Sequence, residues 1–210
     1  PEAARYLSEH QALLSRRARV ADRPWHGLAE PRDETWLRAP KILVPELAKE
    51  GRMALDEQGR YLVQGFGVHP CTPLDLHVLL ATLNSTLLVW LTAINAPKFR
   101  GGNFRYQGST LGKLPIPSAI LEEADLQAEL RELARQLMEE YSRPEHEQSP
   151  TRLVQLESQV DARVYDAAGL GAGGIRFVEE EVARFRPKIP LREGEDLLSA
   201  LRGIRSPGVG

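Results

Sequence analysis

Apolar residues recur every three or four positions over two stretches near the C-terminal end, at Leu126, Leu130, Leu133, Leu137 and Tyr141, and again at Leu153, Leu156, Val160, Val164 and Ala167. That spacing predicts two amphipathic helices. The joint between them, Arg143 to Ser149, holds Pro144 and ends in Ser149-Pro150. A hydroxyl cap followed by a proline in the first turn starts a helix well, so the two helices fold back as an antiparallel hairpin. A shorter helix is predicted around Ile175 to Phe185. The run Leu76 to Ile94 has another character: 19 residues without a charge, apolar on nearly all sides. Thr72-Pro73-Leu74-Asp75 would open it, with Thr72 as N-cap, proline at N1 and an acid near the positive helix end, and Asn95-Ala96-Pro97 would close it. His77, Thr82, Asn84, Ser85, Thr86 and Thr92 within it argue for a core helix over a membrane span.

Period two appears at Asn103 to Gln107, placing Phe104 and Tyr106 on one face and Asn103, Arg105 and Gln107 on the other. Pro40 to Glu46 reads as a short buried strand, and Arg52 to Asp56 is predicted to pair with Arg60 to Phe66 across Asp56-Glu57-Gln58-Gly59. Ala3 to Arg19 reads as a helix, followed by a loop rich in Pro, Trp and Arg. The fold class is therefore α/β (α+β), a small twisted mixed sheet with helices followed by an antiparallel helical hairpin. The expected division is a body over 1–117, the hairpin and a closing helix over 118–186, and a loosely ordered tail over 187–210. Trp90 belongs to the core, Trp25 and Trp36 read as buried aromatics, and Lys41 reads as a solvated edge residue.

Charge changes this picture. Residues 1–117 carry 15 Lys and Arg against 11 Asp and Glu, and residues 118–210 carry 12 against 18, so the net charge of −2 hides a basic first part. No acid occurs from Leu76 to Leu121, where the only charges are Lys98, Arg100, Arg105 and Lys113. Within the apolar helix the missing acids reflect burial. From Lys98 to Lys113 they fit a surface that meets a polyanion. The single cysteine, Cys71, excludes a disulfide framework and a multi-Cys zinc site, and no signal sequence opens the chain, which fits a cytoplasmic protein. With Pro1 in place of Met, the sequence reads as a piece of a longer protein.

The residues of an enzyme are scarce. There is no P-loop, dinucleotide glycine fingerprint, HExxH or GxSxG. Asp56/Glu57, Glu122/Glu123 and Glu179-Glu180-Glu181 read as solvated acids, and Glu46 with Lys49 is too little to build a nuclease metal site.

An ordered series of strings then becomes informative: Arg23-Pro24-Trp25, Ala39 to Glu46, Leu79-Leu80-Ala81-Thr82-Leu83-Asn84-Ser85, Arg100-Gly101-Gly102-Asn103-Phe104-Arg105-Tyr106 and Leu114-Pro115-Ile116-Pro117. Together they resemble the C-terminal specificity domain of Taq-type adenine-N6 DNA methyltransferases and of bifunctional restriction-modification enzymes. Leu156 to Asp166 with Gly169-Leu170 resembles the helix that closes such domains. The resemblance implies a target-recognition domain that grips double-stranded DNA and positions an adenine for an N-terminal methyltransferase domain. That domain would bring the S-adenosylmethionine loop and the Asn/Asp-Pro-Pro-Tyr/Phe motif, both missing here. The chain itself then needs no cofactor and carries no catalytic residue.

The candidate DNA contacts are Lys98, Arg100, Asn103, Arg105, Gln107 and Lys113, with Phe99, Phe104 and Tyr106 interleaved. Arg105 could fork onto guanine, and Asn103 or Gln107 onto adenine. Because members of the family read different sequences, phosphate and positioning roles are favoured for Lys98, Arg100 and Arg105, with Gly101 and Gly102 forming a turn. Base readers would then sit on Arg16 to Arg23 or on Arg52 to Arg60, which adds Arg52 and Arg60 to the candidates. The rival reading is a protein-interaction module of a multisubunit restriction-modification complex, whose two apolar helix seams pair with another subunit.

Overall fold

The structure, a computed structural model, describes residues 2–17, 24–26, 34–49, 52–61, 65–69, 74–99 and 102–185. Cys71, Thr72, Pro73, Arg100, Gly101 and the expected tail over 187–210 lie outside the described residues. Contacts divide the chain after Ala39 into two units.

In the first unit the helix predicted over Ala3 to Arg19 is interrupted. Helix α1 spans Glu2–Glu9, His10 leaves the helical region at φ −106° and ψ 11°, and α2 spans Gln11–Leu14. Tyr6 and His10 meet edge to face across the break, with ring centroids 4.8 Å apart. Arg17 then donates from Nη2 to the Trp25 carbonyl at 2.9 Å. Helix α3, Glu34–Arg38, carries Trp36, which is 60% exposed and so is not the buried aromatic predicted.

The second unit is built on strand β1, Lys41–Pro45. Ile42 and Val44 of this strand are fully buried, and a buried strand needs both of its edges paired because an unsatisfied backbone N–H or C=O is costly there. It therefore takes β3, Ala54–Asp56, on one side and β4, Gly65–Val68, on the other, both antiparallel. The hairpin predicted between the flanking segments is thus corrected to a three-stranded sheet of order β3-β1-β4. Lys41 is corrected too. It is buried in the central strand, and its Nζ donates to Asp56 Oδ2 at 2.8 Å. A Cβ on Gly67 would lie 2.8 Å from Lys41 Cδ, so this glycine leaves room for the lysine stem. Strand β2, Leu47–Ala48, continues past β1 and pairs antiparallel with β5, Phe104–Arg105.

The apolar run forms two helices, α4 over Leu76–Asn84 and α5 over Thr86–Asn95, bent by 66° at Ser85. Ser85 ends one helix and caps the next. Its hydroxyl donates to the Thr82 carbonyl at 2.7 Å and accepts from the Leu88 amide. The α4 N-cap is Asp75, which accepts from the His77 amide at 2.7 Å and takes the place predicted for Thr72. No single helix among the described residues is long and apolar enough to cross a membrane. Val78, Leu83, Leu87 and Leu88 instead pack into the protein's own core.

After α6, Gly108–Leu111, and α7, Ser118–Glu122, come the predicted amphipathic pair, α8 over Ala124–Ser142 and α9 over Pro150–Ala167. Ser149 caps α9 by accepting from the Arg152 amide, with Pro150 in the first turn, as the sequence predicts. The buried Glu140 clasps this joint. Its Oε1 accepts from the Ser149 amide at 2.5 Å, and Oε2 lies 3.3 Å from Arg143 and 3.6 Å from Arg152. Leu130, Ala134, Val160 and Val164 turn inward and join the core with α4 and β1, and α10, Ala172–Ala183, packs on α5 with Phe177 edge-on to the half-buried Trp90. Asp161 of α9 reaches the start of α5, where it accepts from the Thr86 amide at 2.6 Å and the Thr86 hydroxyl at 2.5 Å.

Candidate nucleic-acid interface

Pro97 ends the apolar helices, since the residue before a proline is pushed out of the helical region: Ala96 has ψ 143°. The chain then runs extended and returns on itself. Lys98 forms an antiparallel bridge with Phe104, the Phe99 amide donates to the Asn103 carbonyl at 2.7 Å, and the Arg105 amide donates to the Pro97 carbonyl at 2.9 Å. Gly102 sits at φ 76°, a conformation that costs glycine little and other residues more. On its other edge the returning segment is held by β2 and by the Tyr106 amide, which donates to the Glu46 carbonyl at 2.9 Å. Three extended segments, 46–48, 104–106 and 97–99, therefore lie side by side.

The period-two reading holds on this small sheet. Phe104 and Tyr106 are buried, Phe104 meeting Phe185 edge to face at 5.0 Å, while Arg105 is exposed and Asn103 and Gln107 are half-buried. Cross-strand partners share a face, so Leu47, opposite Arg105 and 44% exposed, stands on the outer side with it. Phe99 is 53% exposed and Lys49, just past β2, is exposed as well, while Lys98, bridged to Phe104, is exposed on the opposite face from Arg105, and Lys113 is exposed beyond the end of α6. The resulting surface mixes cations, amides and an aromatic ring, a combination that fits a nucleic-acid backbone and its base edges.

One acid interrupts it. Arg105 Nη2 donates to Glu46 Oε1 at 2.8 Å, with the side chains 46% and 37% exposed. Glu46, Leu47 and Lys49 thereby join the surface, although nothing in the sequence near residue 105 points to them. Alternation continued from β1 would find Leu47 and Lys49, but it puts Glu46 on the inward positions with Ile42 and Val44, and only the bond to Arg105 brings it to this surface.

The remaining candidates stand elsewhere. Arg60, over the Tyr61 ring at 5.8 Å, follows the β3 turn beside the Lys41 end of β1, whereas Tyr106 bonds Glu46 past the other end. Five residues of strand separate the two places, roughly 17 Å. Arg52 stands at the mouth of an apolar cavity of about 470 Å³ between β3, α4, α5, α8 and α9, walled by residues such as Leu55, Leu80, Val89, Met138 and Val160. The structure thus brings Asn103, Arg105 and Gln107 together on one face, puts Lys98 on the neighbouring strand but on the other face, carries Lys113 just beyond α6, and leaves Arg52 and Arg60 apart from them.

A second group of charges ties elements together. His77 lies 3.2 Å from Asp75 and 3.1 Å from Glu57, and Arg131 of α8 donates to Asp75 at 2.9 Å. Burial raises the Asp75 carboxyl, but the bonds from Arg131 and the His77 amide outweigh it and hold it below the usual range. Among the described residues no group of three or more His, Cys, Asp or Glu could hold a metal ion.

Comparison with known proteins supplies a family. The model of the TaqI-like C-terminal specificity domain matches residues 13–116, which takes in every described strand and stops short of α7 to α10. No curated protein matches the chain.

Proposed function

Because residues 13–116 are a TaqI-like C-terminal specificity domain, of the kind found in restriction-modification enzymes, we propose that this chain binds duplex DNA sequence-specifically. In this reading it places an adenine before a separate catalytic domain, which supplies S-adenosylmethionine and the methyl transfer in the cytoplasm. The observation that carries the reading is the outer face of the 46–48, 97–99 and 104–106 sheet. There Arg105, Asn103, Gln107 and Phe99 are held by the paired backbone with Lys49 beside them, and Lys98 lies on the edge strand. A ribbon of two paired strands such as β2 and β5 fits the major groove, and exposed lysines near it meet phosphates.

The rival reading, a module whose apolar seams pair with another subunit, has less to stand on. Leu130, Ala134, Leu153, Val160 and Val164 on those seams are spent inside the chain, packed on one another and on α4 and α5.

Titration of the 210-residue chain against labelled duplexes at several salt concentrations tests the proposal. If about four phosphates are neutralised, the log-log slope is about −3.6. Absence of binding at low salt, or tight binding indifferent to salt, would refute it.

A further inference from the structure

The sequence pattern favours a phosphate role for Arg105, and the ion pair with Glu46 argues the other way. A guanidinium already matched by a carboxylate at 2.8 Å has little charge left to neutralise, and a phosphate drawn to it is repelled by Glu46. A base edge is neutral and suffers no such repulsion.

The geometry offers what a base edge needs. Among the described residues the guanidinium of Arg105 bonds only through Nη2, which uses one of that nitrogen's two hydrogens, so the other hydrogen of Nη2 and a neighbouring N–H remain as a two-pronged donor edge, while Glu46 keeps Oε2 as an acceptor. Both residues are fixed by the backbone. Arg105 is bonded through its amide to Pro97 and paired in register with Leu47, and the Glu46 carbonyl holds the Tyr106 amide. A planar guanidinium held by a carboxylate loses less freedom on binding than a free one.

We propose that Arg105 and Glu46 together read one G·C base pair in the major groove. Guanine presents two acceptors there, O6 and N7, which match the free donors of Arg105. Cytosine presents the N4 amino donor, which matches the remaining oxygen of Glu46. An A·T pair offers O4 and a methyl group in place of the cytosine donor, and adenine offers an amino group where the guanidinium needs an acceptor. Glu46 is thus a specificity residue, and its charge repels a phosphate that would otherwise capture Arg105 out of register. The inference rests on the duplex-binding reading above.

The experiment uses the 210-residue chain and duplexes selected from a random-sequence pool, followed by single base-pair changes and 7-deazaguanine in the best duplex. The unmodified chain should lose roughly 5- to 150-fold in affinity when one particular G·C pair becomes A·T, and should respond to loss of guanine N7 at that position. Arg105→Ala should abolish both sensitivities while leaving the salt slope nearly unchanged. Glu46→Gln should weaken discrimination at the same pair, tighten binding to unrelated duplexes and steepen the salt slope by about 0.9.

The proposal is overturned if Arg105→Ala weakens all duplexes alike and makes the slope shallower by about 0.9, the phosphate signature. It is equally overturned if Arg105→Ala changes nothing, if selection finds no preferred G·C pair, or if Glu46→Gln leaves discrimination intact. Failure of the unmodified chain to bind any duplex at low salt would instead sink the functional reading itself. Circular dichroism of each variant separates these outcomes from misfolding.

Discussion

Two ion pairs of the same length stand at opposite ends of one strand, and they have opposite consequences. Lys41–Asp56 and Arg105–Glu46 both measure 2.8 Å. In the first the side chains are 5% and 1% exposed, and in the second 46% and 37%. Asp56 is also saturated: besides the lysine it accepts from the Arg60 and Tyr61 amides, at 3.0 and 2.9 Å. Among the described residues the Glu46 carboxylate meets Arg105 alone, and its side chain is 37% exposed. Distance alone therefore says little about what an ion pair does. A buried, saturated pair is committed to the fold, and an exposed, half-used pair can be turned toward a ligand.

The sharpest way to break the comparison is to remove one acid from the buried pair. Asp56→Ala takes the carboxylate away from the buried, charged Lys41 and frees two backbone amides, which should cost about 3 to 5 kcal/mol. Urea unfolding followed by circular dichroism measures it, and a loss under about 1 kcal/mol would mean that the pair is as dispensable as a surface one.

Acid should act on the same end of the strand. Burial pushes the Asp56 carboxyl up, but the bonds from Lys41 and from the Tyr61 and Arg60 amides outweigh it and bring it to about 2, below the ordinary aspartate value of 3.8. A carboxyl depressed in the folded state contributes stability that is present above pH 4 and lost as pH falls through the folded value. Asp56 should contribute roughly 1 to 2 kcal/mol of such stability between pH 4 and pH 2. Asp75, also held low, adds in the same direction. Melting temperatures measured from pH 5 down to pH 2 should fall more steeply for the unmodified chain than for Asp56→Asn, and equal slopes would refute the assignment.

A third carboxylate lies between these extremes. Asp161 of α9 satisfies the Thr86 amide and hydroxyl at the first turn of α5, so Asp161→Ala should cost about 1 to 2 kcal/mol, near that of losing a helix cap. Hydrogen exchange of the α5 amides should rise selectively. If instead exchange rises evenly throughout, Asp161 is not a local cap.

The same residues explain how much the sequence disclosed. Helices α8 and α9 were legible because each repeats its apolar face for five turns, and the alternation at Phe104, Arg105 and Tyr106 was legible because one face is buried. The break at Ser85 was not: the run is apolar on all sides, and the carboxylate that supports the new helix start comes from 75 positions away. Lys41 looked like an edge residue because a five-residue strand does not disclose whether it is central. Its partner Asp56, and the second edge taken by β4, exist only once the sheet has formed. On the candidate interface the basic residues were readable from local composition, yet Glu46 was not, because its bond to Arg105 spans 59 positions. Local patterns disclose faces, and long-range partners decide which charges on a face are open.

The exposed pair closes the comparison with the smallest expected effect on the fold. Arg105→Ala and Glu46→Gln should each shift stability by no more than about 0.5 kcal/mol, since an exposed pair gains little Coulomb energy in water and its long side chains lose freedom in holding one geometry. The backbone bonds around them, from Arg105 to Pro97 and from Tyr106 to Glu46, do not depend on either side chain and keep the sheet in place. Raising salt from 50 to 500 mM should therefore leave the melting temperature of Arg105→Ala relative to the unmodified chain unchanged, because there is little electrostatic stabilisation to screen. A loss above about 2 kcal/mol, or one that fades with salt, would mean that Glu46 and Arg105 hold the 97–106 segment together. Both ends of β1 would then be structural, and neither would be open to DNA.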